Sequence, residues 1–331
     1  MLIAGDIGGT KTNIALFEEG DSTNPHHLTS FHTADYPDLQ SIVKEYKSRY
    51  SLSDVHSACF AIAGPVQKGI CKTTNLQWVV NVHDLAKAVN IENVYLINDL
   101  EANAYALPIL PEENLRTLYP GKGNPEGNQA VVSPGTGLGE AGLYWDGKKH
   151  HPFACEGGHC EFGPRTEIQI DLCRYIYQRF GHASYERILS GPGLYNIYQF
   201  YRNVLKREES GLLKSAMEKD DPAKVITQFA LNKQSDLCVE ALSLFVSILG
   251  SETSNCVLKY MAVGGVFLGG GIPPKILPFL EDRLFLEGFF DKGRFRTLLE
   301  SVPIKVISDD RASLKGAAYY CQLRMEGTRY V

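Results

Sequence analysis

The chain has 331 residues, of which 44% are hydrophobic and 21% are charged. This is the composition of a soluble globular protein of about two domains, and it excludes a disordered chain, a fibrous repeat and a coiled coil. The 33 basic and 38 acidic side chains leave a net charge of −5. Because no dense Lys/Arg run offers a basic face to phosphates, we expect no nucleic-acid partner.

We also expect no membrane segment. The most apolar stretch, Met261 to Pro274, is rich in glycine and shorter than the ~20 residues that cross a bilayer. Residues 1–6 lack the basic start and the cleavage site of a signal peptide. The eight cysteines include no Cys-x-x-Cys pair, which favours reduced thiols over a disulfide framework. These features predict a cytoplasmic protein.

The first hundred residues alternate strand-like and helix-like patterns. Leu2–Ile7 and Asn13–Phe17 flank a glycine-rich turn, which predicts a hairpin. Two later runs are apolar on consecutive residues, as in strands buried on both faces, namely Ser57–Ala63 and Val94–Ile97. Helices are predicted near Leu39–Tyr50, Val82–Val89 and Leu100–Leu110. The pattern is that of an α/β domain.

The second half repeats this opening after a break. Prolines and glycines cluster between 108 and 127, which predicts a linker or hinge. Strand-like Ala130–Val132 and Gly142–Trp145 then flank a second glycine-rich turn. The remaining predicted elements are a helix at Ser235–Gly250, a strand at Val302–Ile307 and a helix at Arg311–Arg324.

Both glycine-rich turns carry a threonine directly after a buried strand. They are Gly5-Asp-Ile-Gly-Gly-Thr-Lys-Thr12 and Ser133-Pro-Gly-Thr-Gly-Leu-Gly-Glu140. A tight hairpin explains either turn alone equally well, whereas the pair favours backbone N–H groups that bind phosphate. Neither turn matches the Walker loop, and no Gly-x-Gly-x-x-Gly joins a predicted strand to a helix. The pair predicts a nucleotide held between two lobes, with Asp6 holding Mg²⁺ through water.

A third glycine cluster, between Gly264 and Pro274, has two interpretations. It would let a base or ribose approach the backbone, or it would form a packed turn from strand to helix.

Asn98-Asp99 ends the buried strand Val94–Ile97, at the sheet edge where α/β proteins usually bind ligands. An aspartate there is a candidate general base for an alcohol that attacks phosphorus. The alternative is that Asp99 only begins the following helix, where a carboxylate favours the helix dipole. The local pattern leaves both open.

Glu156-Gly-Gly-His159 is a second polar motif. A structural zinc site usually pairs one Cys-x₂₋₄-Cys unit with a second such unit, and that second unit is absent. A Cys–His nucleophile would need an orienting third group, and none is evident. The favoured role for Glu156 and His159 is hydrogen bonding to a polyhydroxylated substrate, with Glu186 as a further acceptor. The candidate ligands of such a zinc site are His150, His151, Cys155, His159 and Cys160.

Taken in order, these motifs resemble the bacterial glucokinase family. The motifs are Gly5–Thr10, Asn98-Asp99, Pro134–Gly139, Glu156–His159, Glu186–Gly193, Gly269–Pro274 and Phe289–Phe295. The resemblance implies a two-lobed, actin-like, hexokinase-type α/β fold with an active-site cleft between the lobes. It also implies transfer of the γ-phosphate of ATP, with Mg²⁺, to the 6-hydroxyl of glucose, the first step of glycolysis. The products would be glucose 6-phosphate and ADP.

The resemblance also implies roles for individual residues. Asp99 matches the catalytic base, and the sugar-binding set is Asn98, Asp99, Glu156, His159 and Glu186. The nucleotide-binding set is Gly5, Asp6, Ile7, Gly8, Gly9, Thr10, Gly135, Thr136, Gly137, Gly139, Gly270 and Gly271. The small domain would comprise residues 1–110 and 311–331, and the large domain residues 111–310. A homodimer is expected.

Lys11 stands where many glucokinases carry Asn, and in this it resembles the related repressor/open-reading-frame/kinase sugar kinases. Those relatives carry a cysteine-rich zinc motif that is absent after His159, where the chain continues Cys160-Glu-Phe-Gly-Pro164. The alternatives to a glucose kinase are a kinase for another hexose or an N-acetylhexosamine, and a non-catalytic sugar-sensing regulator. Such regulators carry an N-terminal helix-turn-helix, whereas this sequence opens on a predicted strand.

Overall fold

The structure is a computed structural model, and it describes residues 1–73 and 76–327. The strands are β1 (Leu2–Ile7), β2 (Lys11–Phe17), β3 (His26–His32), β4 (Ser57–Ile62), β5 (Val66–Gln67), β6 (Ile70–Lys72), β7 (Val79–Asn81), β8 (Asn93–Asn98), β9 (Leu115–Tyr119), β10 (Gln129–Pro134), β11 (Leu138–Trp145), β12 (His150–Cys155), β13 (Gly265–Leu268) and β14 (Ile304–Ile307). The helices are α1 (Leu39–Arg49), α2 (Val82–Val89), α3 (Asp99–Ala106), α4 (Glu167–Phe180), α5 (Gly191–Asn203), α6 (Gly211–Met217), α7 (Pro222–Leu231), α8 (Asp236–Tyr260), α9 (Leu277–Leu280), α10 (Arg283–Phe290), α11 (Arg296–Leu299) and α12 (Ala312–Met325). The chain divides into two compact units, unit 1 (1–114 and 309–331) and unit 2 (115–308).

Unit 1 is a sheet with helices on both faces. Its strand order is β3-β2-β1-β4-β8, in which β1, β4 and β8 run parallel. Because strand side chains alternate, Leu2 and Ala4 pack on one face of β1 and Ile3 on the other. One face carries α1 and α2, and the other carries α3 and α12. Gly316 lets α12 approach α3 closely, since a Cβ there would lie 1.7 Å from the carbonyl oxygen of Ala102.

Unit 2 is built on a mixed sheet of order β12-β11-β10-β13-β14-β9. The strands β10, β13 and β14 run parallel at its centre, while β12, β11 and β9 pair antiparallel. The helices α4, α5, α7, α8 and α10 supply most of a hydrophobic core that also takes side chains from β10, β13 and β14. This sheet therefore has the same parallel centre and opening hairpin as the sheet of unit 1.

The helix α8 extends beyond Gly250 to Tyr260, through the polar residues Ser251–Asn255, most of which are buried. It is long and apolar enough to span a membrane by length and composition, a property the sequence interpretation overlooked. However, 78% of its most apolar window is buried inside the protein. Packing against α5, α7 and α10 accounts for this apolar character.

The predicted linker between 108 and 127 is wrong in part. Residues Leu115–Tyr119 form β9, which pairs antiparallel with β14 at the edge of the unit 2 sheet. The prolines and glycines flank this strand, and Gly121 has a φ of 52°, which glycine adopts without strain. An edge strand carries half-exposed residues and therefore lacks the continuous apolar run of a central strand.

Candidate active site

The first glycine-rich turn joins β1 to β2 in unit 1. Gly8 donates its backbone N–H to the Lys11 carbonyl at 3.0 Å, and the Thr33 hydroxyl donates to the Gly8 carbonyl at 2.9 Å. A Cβ on Gly8 would lie 2.9 Å from the Lys11 carbonyl oxygen, so the tight turn requires glycine. Thr10 is exposed, and its carbonyl accepts the N–H of Thr33 at 3.0 Å. The turn is thus anchored from one side and presents Thr10 to solvent.

Two members of the predicted nucleotide-binding set have packing roles. Gly5 is buried within β1, where a Cβ would lie 2.5 Å from the ring of Phe60. Ile7 is 2% exposed and belongs to the core of the unit 1 sheet. Any contact that these two residues make with a nucleotide would therefore come from the backbone.

Asp6 lies at the end of β1 beside a second carboxylate. Its Oδ1 accepts a hydrogen bond from the Ser313 hydroxyl at 2.9 Å, near the start of α12. Burial, together with the charge of Asp99, raises the pKa of Asp6 to about 6, while the Ser313 hydroxyl and Lys11 oppose that shift. Two neighbouring carboxylates in a half-buried position favour a bound cation. The carboxylate oxygens of Asp6 and Asp99 are therefore suitable ligands for a hydrated Mg²⁺.

Asn98 and Asp99 lie where β8 meets α3. Asn98 is the N-cap residue, and its Oδ1 accepts the N–H groups of Leu100 at 2.9 Å and Glu101 at 3.3 Å. Its Nδ2 donates to the carbonyl of Gly64 at 3.2 Å. Asp99 is half-buried, and its Oδ1 also accepts the N–H of Leu100, at 3.0 Å. Because the Asn98 side chain already caps the helix, N-capping does not account for the Asp99 carboxylate.

The second glycine-rich turn joins β10 to β11 in unit 2. Gly135 donates its N–H to the Gly137 carbonyl at 2.8 Å, and its own carbonyl accepts the N–H of Gly191, also at 2.8 Å, at the start of α5. Thr136 is exposed. A Cβ on Gly137 would lie 2.5 Å from Oε2 of Glu186, so the carboxylate packs directly on the turn.

Glu186, Glu156 and His159 come together in unit 2. His159 lies between the two carboxylates, with Nδ1 3.9 Å from Glu186 Oε1 and Nε2 4.0 Å from Glu156 Oε2. The Glu156 and His159 side chains are 66% and 61% exposed, and that of Glu186 is 32% exposed. Leu138 donates its N–H to Glu186 Oε2 at 3.0 Å. The polar motif is therefore joined directly to the second glycine-rich turn.

The third glycine cluster follows β13 and packs beside the same turn. Gly270 has a φ of 79°, and a Cβ on it would lie 2.6 Å from the Pro134 carbonyl oxygen. At Gly271 a Cβ would meet no heavy atom within 4 Å. Gly270 is thus required by the close approach of two backbones, whereas Gly271 faces open space. The packed turn therefore accounts for Gly270, whereas the approach of a base or ribose to Gly271 stays a prediction.

Three residues of these sites, Ser313, Glu140 and Glu252, were not predicted from the sequence. Ser313 follows Asp6 by some 300 positions, so the pattern of either segment gives no signal of their contact. Glu140 directly follows the second glycine-rich turn, and both of its oxygens are buried without a hydrogen-bond partner. A charged residue in an otherwise apolar strand was the available signal.

The fold places the protein among the actin-like, hexokinase-type sugar kinases, which confirms the predicted fold class. A crystal structure of a glucokinase from an Antarctic psychrotroph is 30% identical, with a TM-score of 0.84, over 97% of this chain and 98% of that chain. The glucokinase from Balamuthia mandrillaris in complex with glucose has the same fold, at 21% identity and a TM-score of 0.83 over 97% and 93% of the two chains.

The family follows from the sequence comparisons. A family model described as Glucokinase matches residues 3–324. A relative named glucokinase from Nostoc punctiforme is 38% identical, over 98% of this chain and 99% of that protein. The chain belongs to the glucokinase family.

Proposed function

We propose that this chain transfers the γ-phosphate of ATP to the 6-hydroxyl of glucose, with Asp99 as general base. Membership of the glucokinase family makes it an ATP-dependent hexose kinase that phosphorylates glucose. The observation that carries the assignment of roles is the joining of Glu186 to both the second glycine-rich turn and His159. A residue with both contacts suits an enzyme that must bind a sugar and a phosphate together.

Asp99 takes the proton of the sugar hydroxyl as that oxygen attacks phosphorus. It stands at the C-terminal edge of parallel strands, where a ligand reaches side chains without crossing the sheet. Asn98 holds the first turn of α3 by its cap, and so fixes the backbone from which Asp99 projects. A positioned base of this kind contributes typically about 10²–10⁴ in rate.

The sugar hydroxyls are held by Asn98, Asp99, Glu156, His159 and Glu186. Carboxylates accept the hydrogen bonds that hydroxyl groups donate, and a histidine held between two of them has its ring orientation constrained. The exposure of Glu156 and His159 leaves their polar atoms accessible to a ligand.

Mg²⁺ would be held by Asp6, through water. When bound it would supply charge that stabilises the transferring phosphoryl group. The Ser313 hydrogen bond fixes one carboxylate oxygen of Asp6, so the orientation of the group is set before any cation binds. The first and second turns offer backbone N–H groups and the hydroxyls of Thr10 and Thr136 to the phosphates.

The test of substrate is ADP release from purified protein with Mg-ATP and a panel of sugars: glucose, mannose, fructose and N-acetylated hexosamines. We expect the highest kcat/KM with glucose. A clear preference for another sugar would reassign the substrate and keep the kinase. No ADP release with any sugar, alongside intact ATP binding, would favour the sugar-sensing regulator and overturn the proposal.

The family resemblance further supports a homodimer in the cytoplasm. Sedimentation velocity at micromolar protein would give about twice the mass of one 36.7 kDa chain. A single species at the mass of the monomer would contradict the dimer.

A further inference from the structure

A buried acidic cluster lies directly behind the turn that carries Glu156 and His159. It contains Glu140 from β11, and Glu252 and Cys256 from α8, whose oxygen and sulfur atoms lie within 4.8 Å of one another. Glu140 and Glu252 are both 0% exposed. Two ionised carboxylates so close together in a buried position would repel each other strongly, so the cluster needs either a proton or a cation.

Three side chains in this cluster donate hydrogen bonds to Glu252. Asn255 donates to it at 2.7 Å and Lys259 at 3.2 Å, while the Cys256 thiol donates at 3.9 Å. Neither oxygen of Glu140 accepts a hydrogen bond. The negative charge therefore belongs on Glu252, and Glu140 is the group that holds a proton.

The Glu140 carboxyl touches the backbone of the sugar-binding turn. A Cβ on Gly157 would lie 1.9 Å from Glu140 Oε2, so the carboxyl fills the space that a side chain there would take. Gly157 directly follows Glu156, and it is buried, whereas Glu156 and His159 are exposed. Glu140 also pairs with Cys155 across the sheet, on the other side of the same turn. A change of charge on Glu140 thus acts directly on the segment 155–159.

We propose that Glu140 is a neutral carboxylic acid that donates its O–H to the Glu252 carboxylate. This acid pair positions the turn Glu156–His159 for sugar binding, and the inference rests on the sugar-binding role proposed above. Ionisation of Glu140 would leave an uncompensated buried charge against Gly157. Displacement of the turn and entry of water would lower the cost of that charge. Glu140 is a positioning residue, since it acts through the turn.

The electrostatic surroundings agree with this assignment. Burial, followed by the charge of Glu252, raises the pKa of Glu140 to about 7, against opposing effects of Cys256 and Lys259. Lys292, from the motif Phe289–Phe295, faces Glu252 and donates to the Ser251 hydroxyl at 3.0 Å. Among the residues that the structure describes, the titratable or charged groups that face Glu140 are Glu252, Cys256, Lys259 and Tyr260 from α8 and Cys155 from β12. The groups that face Glu252 also include Tyr185 and Lys292.

A bound metal ion is the alternative occupant, because carboxylate and thiol groups are metal ligands. The Lys259 ammonium already lies 3.2 Å from Glu252 and supplies a positive charge. Burial raises the pKa of the Cys256 thiol well above its usual range, which opposes the thiolate that a metal requires. These two observations favour the proton.

The test compares the glucose KM of the wild type and Glu140→Gln between pH 6 and 8.5. Gln keeps the shape of the neutral acid and cannot ionise. We expect the wild-type KM to rise at least fivefold over this range with kcat nearly constant, and the Gln variant to change less than twofold. His159 is present in both proteins, so the difference between their pH profiles isolates Glu140. The matched control is Glu240→Gln, on the same helix as Glu252, which should keep the wild-type profile. A Gln variant with the wild-type pH profile would overturn the proposal.

A second measurement needs no turnover. Infrared difference spectra of the intact wild-type protein should contain the C=O stretch of a protonated carboxyl at pH 6 that disappears by pH 8.5, and Glu140→Gln should lack that band. If Glu140→Gln fails to fold, the same band is sought in wild type and in Glu252→Gln, where Glu140 loses its charged neighbour. The absence of a titrating band, or a stoichiometric metal ion in the purified protein, would exclude the neutral acid. If no ADP is released with any sugar while the infrared band persists, the result would count against the proposed function and not against the neutral Glu140.

Discussion

Glu186 accepts the backbone N–H of Leu138 at 3.0 Å through Oε2, and its Oε1 lies 3.9 Å from Nδ1 of His159. One carboxylate therefore contacts both the β10–β11 turn and the polar motif. The backbone N–H of Glu186 also donates to the Gly158 carbonyl at 2.8 Å. The proposed sugar-binding and nucleotide-binding segments of unit 2 are thus joined through this residue.

Glu186→Ala should impair both substrates. Because the Glu186 carboxylate contacts both the second turn and His159, we expect the glucose KM to rise at least tenfold and the ATP KM severalfold. Steady-state kinetics with each substrate varied in turn checks this, with Glu167→Ala, an exposed residue in the first turn of α4, as control. An effect confined to glucose would show that Glu186 does not support the second turn.

Ser313→Ala should weaken the use of Mg-ATP without affecting the sugar. Hydrogen bonds to charged groups contribute about 1.5–3 kcal/mol, so loss of the bond to Asp6 should raise the Mg²⁺ concentration for half-maximal rate about tenfold or more. Glucose affinity should stay within twofold. Titration of Mg²⁺ at fixed ATP measures this, and Ser48→Ala, exposed on α1, is the control. An unchanged Mg²⁺ requirement would remove Ser313 from this role.

The hairpins were predictable because their glycines and alternating apolar runs are local signals. The position of Asn98 and Asp99 was predictable for the same reason, since a polar pair that ends a buried strand is visible in the sequence. The acid pair was not predictable from the sequence, because Glu140 and Glu252 lie on different elements and only the fold brings β11 against α8. Gly5 was assigned to the nucleotide because a sequence cannot show that the ring of Phe60 occupies the space of its missing side chain. The strand β9 was taken for linker because an edge strand lacks a continuous apolar pattern.

Gly157→Ala should destabilise the protein and raise the glucose KM. Its Cβ would lie 1.9 Å from Glu140 Oε2, and overpacking of this kind typically costs about 1–3 kcal/mol. In the Glu140→Ala background the same change should cost at least about 1 kcal/mol less, because the clashing group is gone. Urea denaturation of the four proteins measures this coupling. Gly211→Ala, where a Cβ would meet nothing within 4 Å, is the control. Equal costs in both backgrounds would contradict the contact.

Stability should depend on pH through Glu140. Its pKa rises from 4.5 in the unfolded chain to about 7 in the native state. Between these values the native state holds a proton that the unfolded chain has released, so the unfolding free energy falls as pH rises through this window. At ~1.36 kcal/mol per pKa unit the loss is about 3 kcal/mol, complete above pH 7.

Glu140→Gln lacks this titration. Its stability relative to wild type should therefore increase by about 3 kcal/mol from pH 4.5 to pH 8. Urea denaturation at several pH values measures the difference, with Glu240→Gln run in parallel. A difference that stays constant with pH would mean that Glu140 is ionised in the native state.

The central claim is that Asp99 takes the proton of the attacking hydroxyl. The direct measurement is kcat for ADP release with glucose, together with the glucose Kd from calorimetry, for wild type and Asp99→Asn. Asp84→Asn, exposed in the first turn of α2, is the matched control. The account predicts a loss of about 10²–10⁴ in kcat, with the glucose Kd within about tenfold of wild type. A kcat within tenfold of wild type would contradict it.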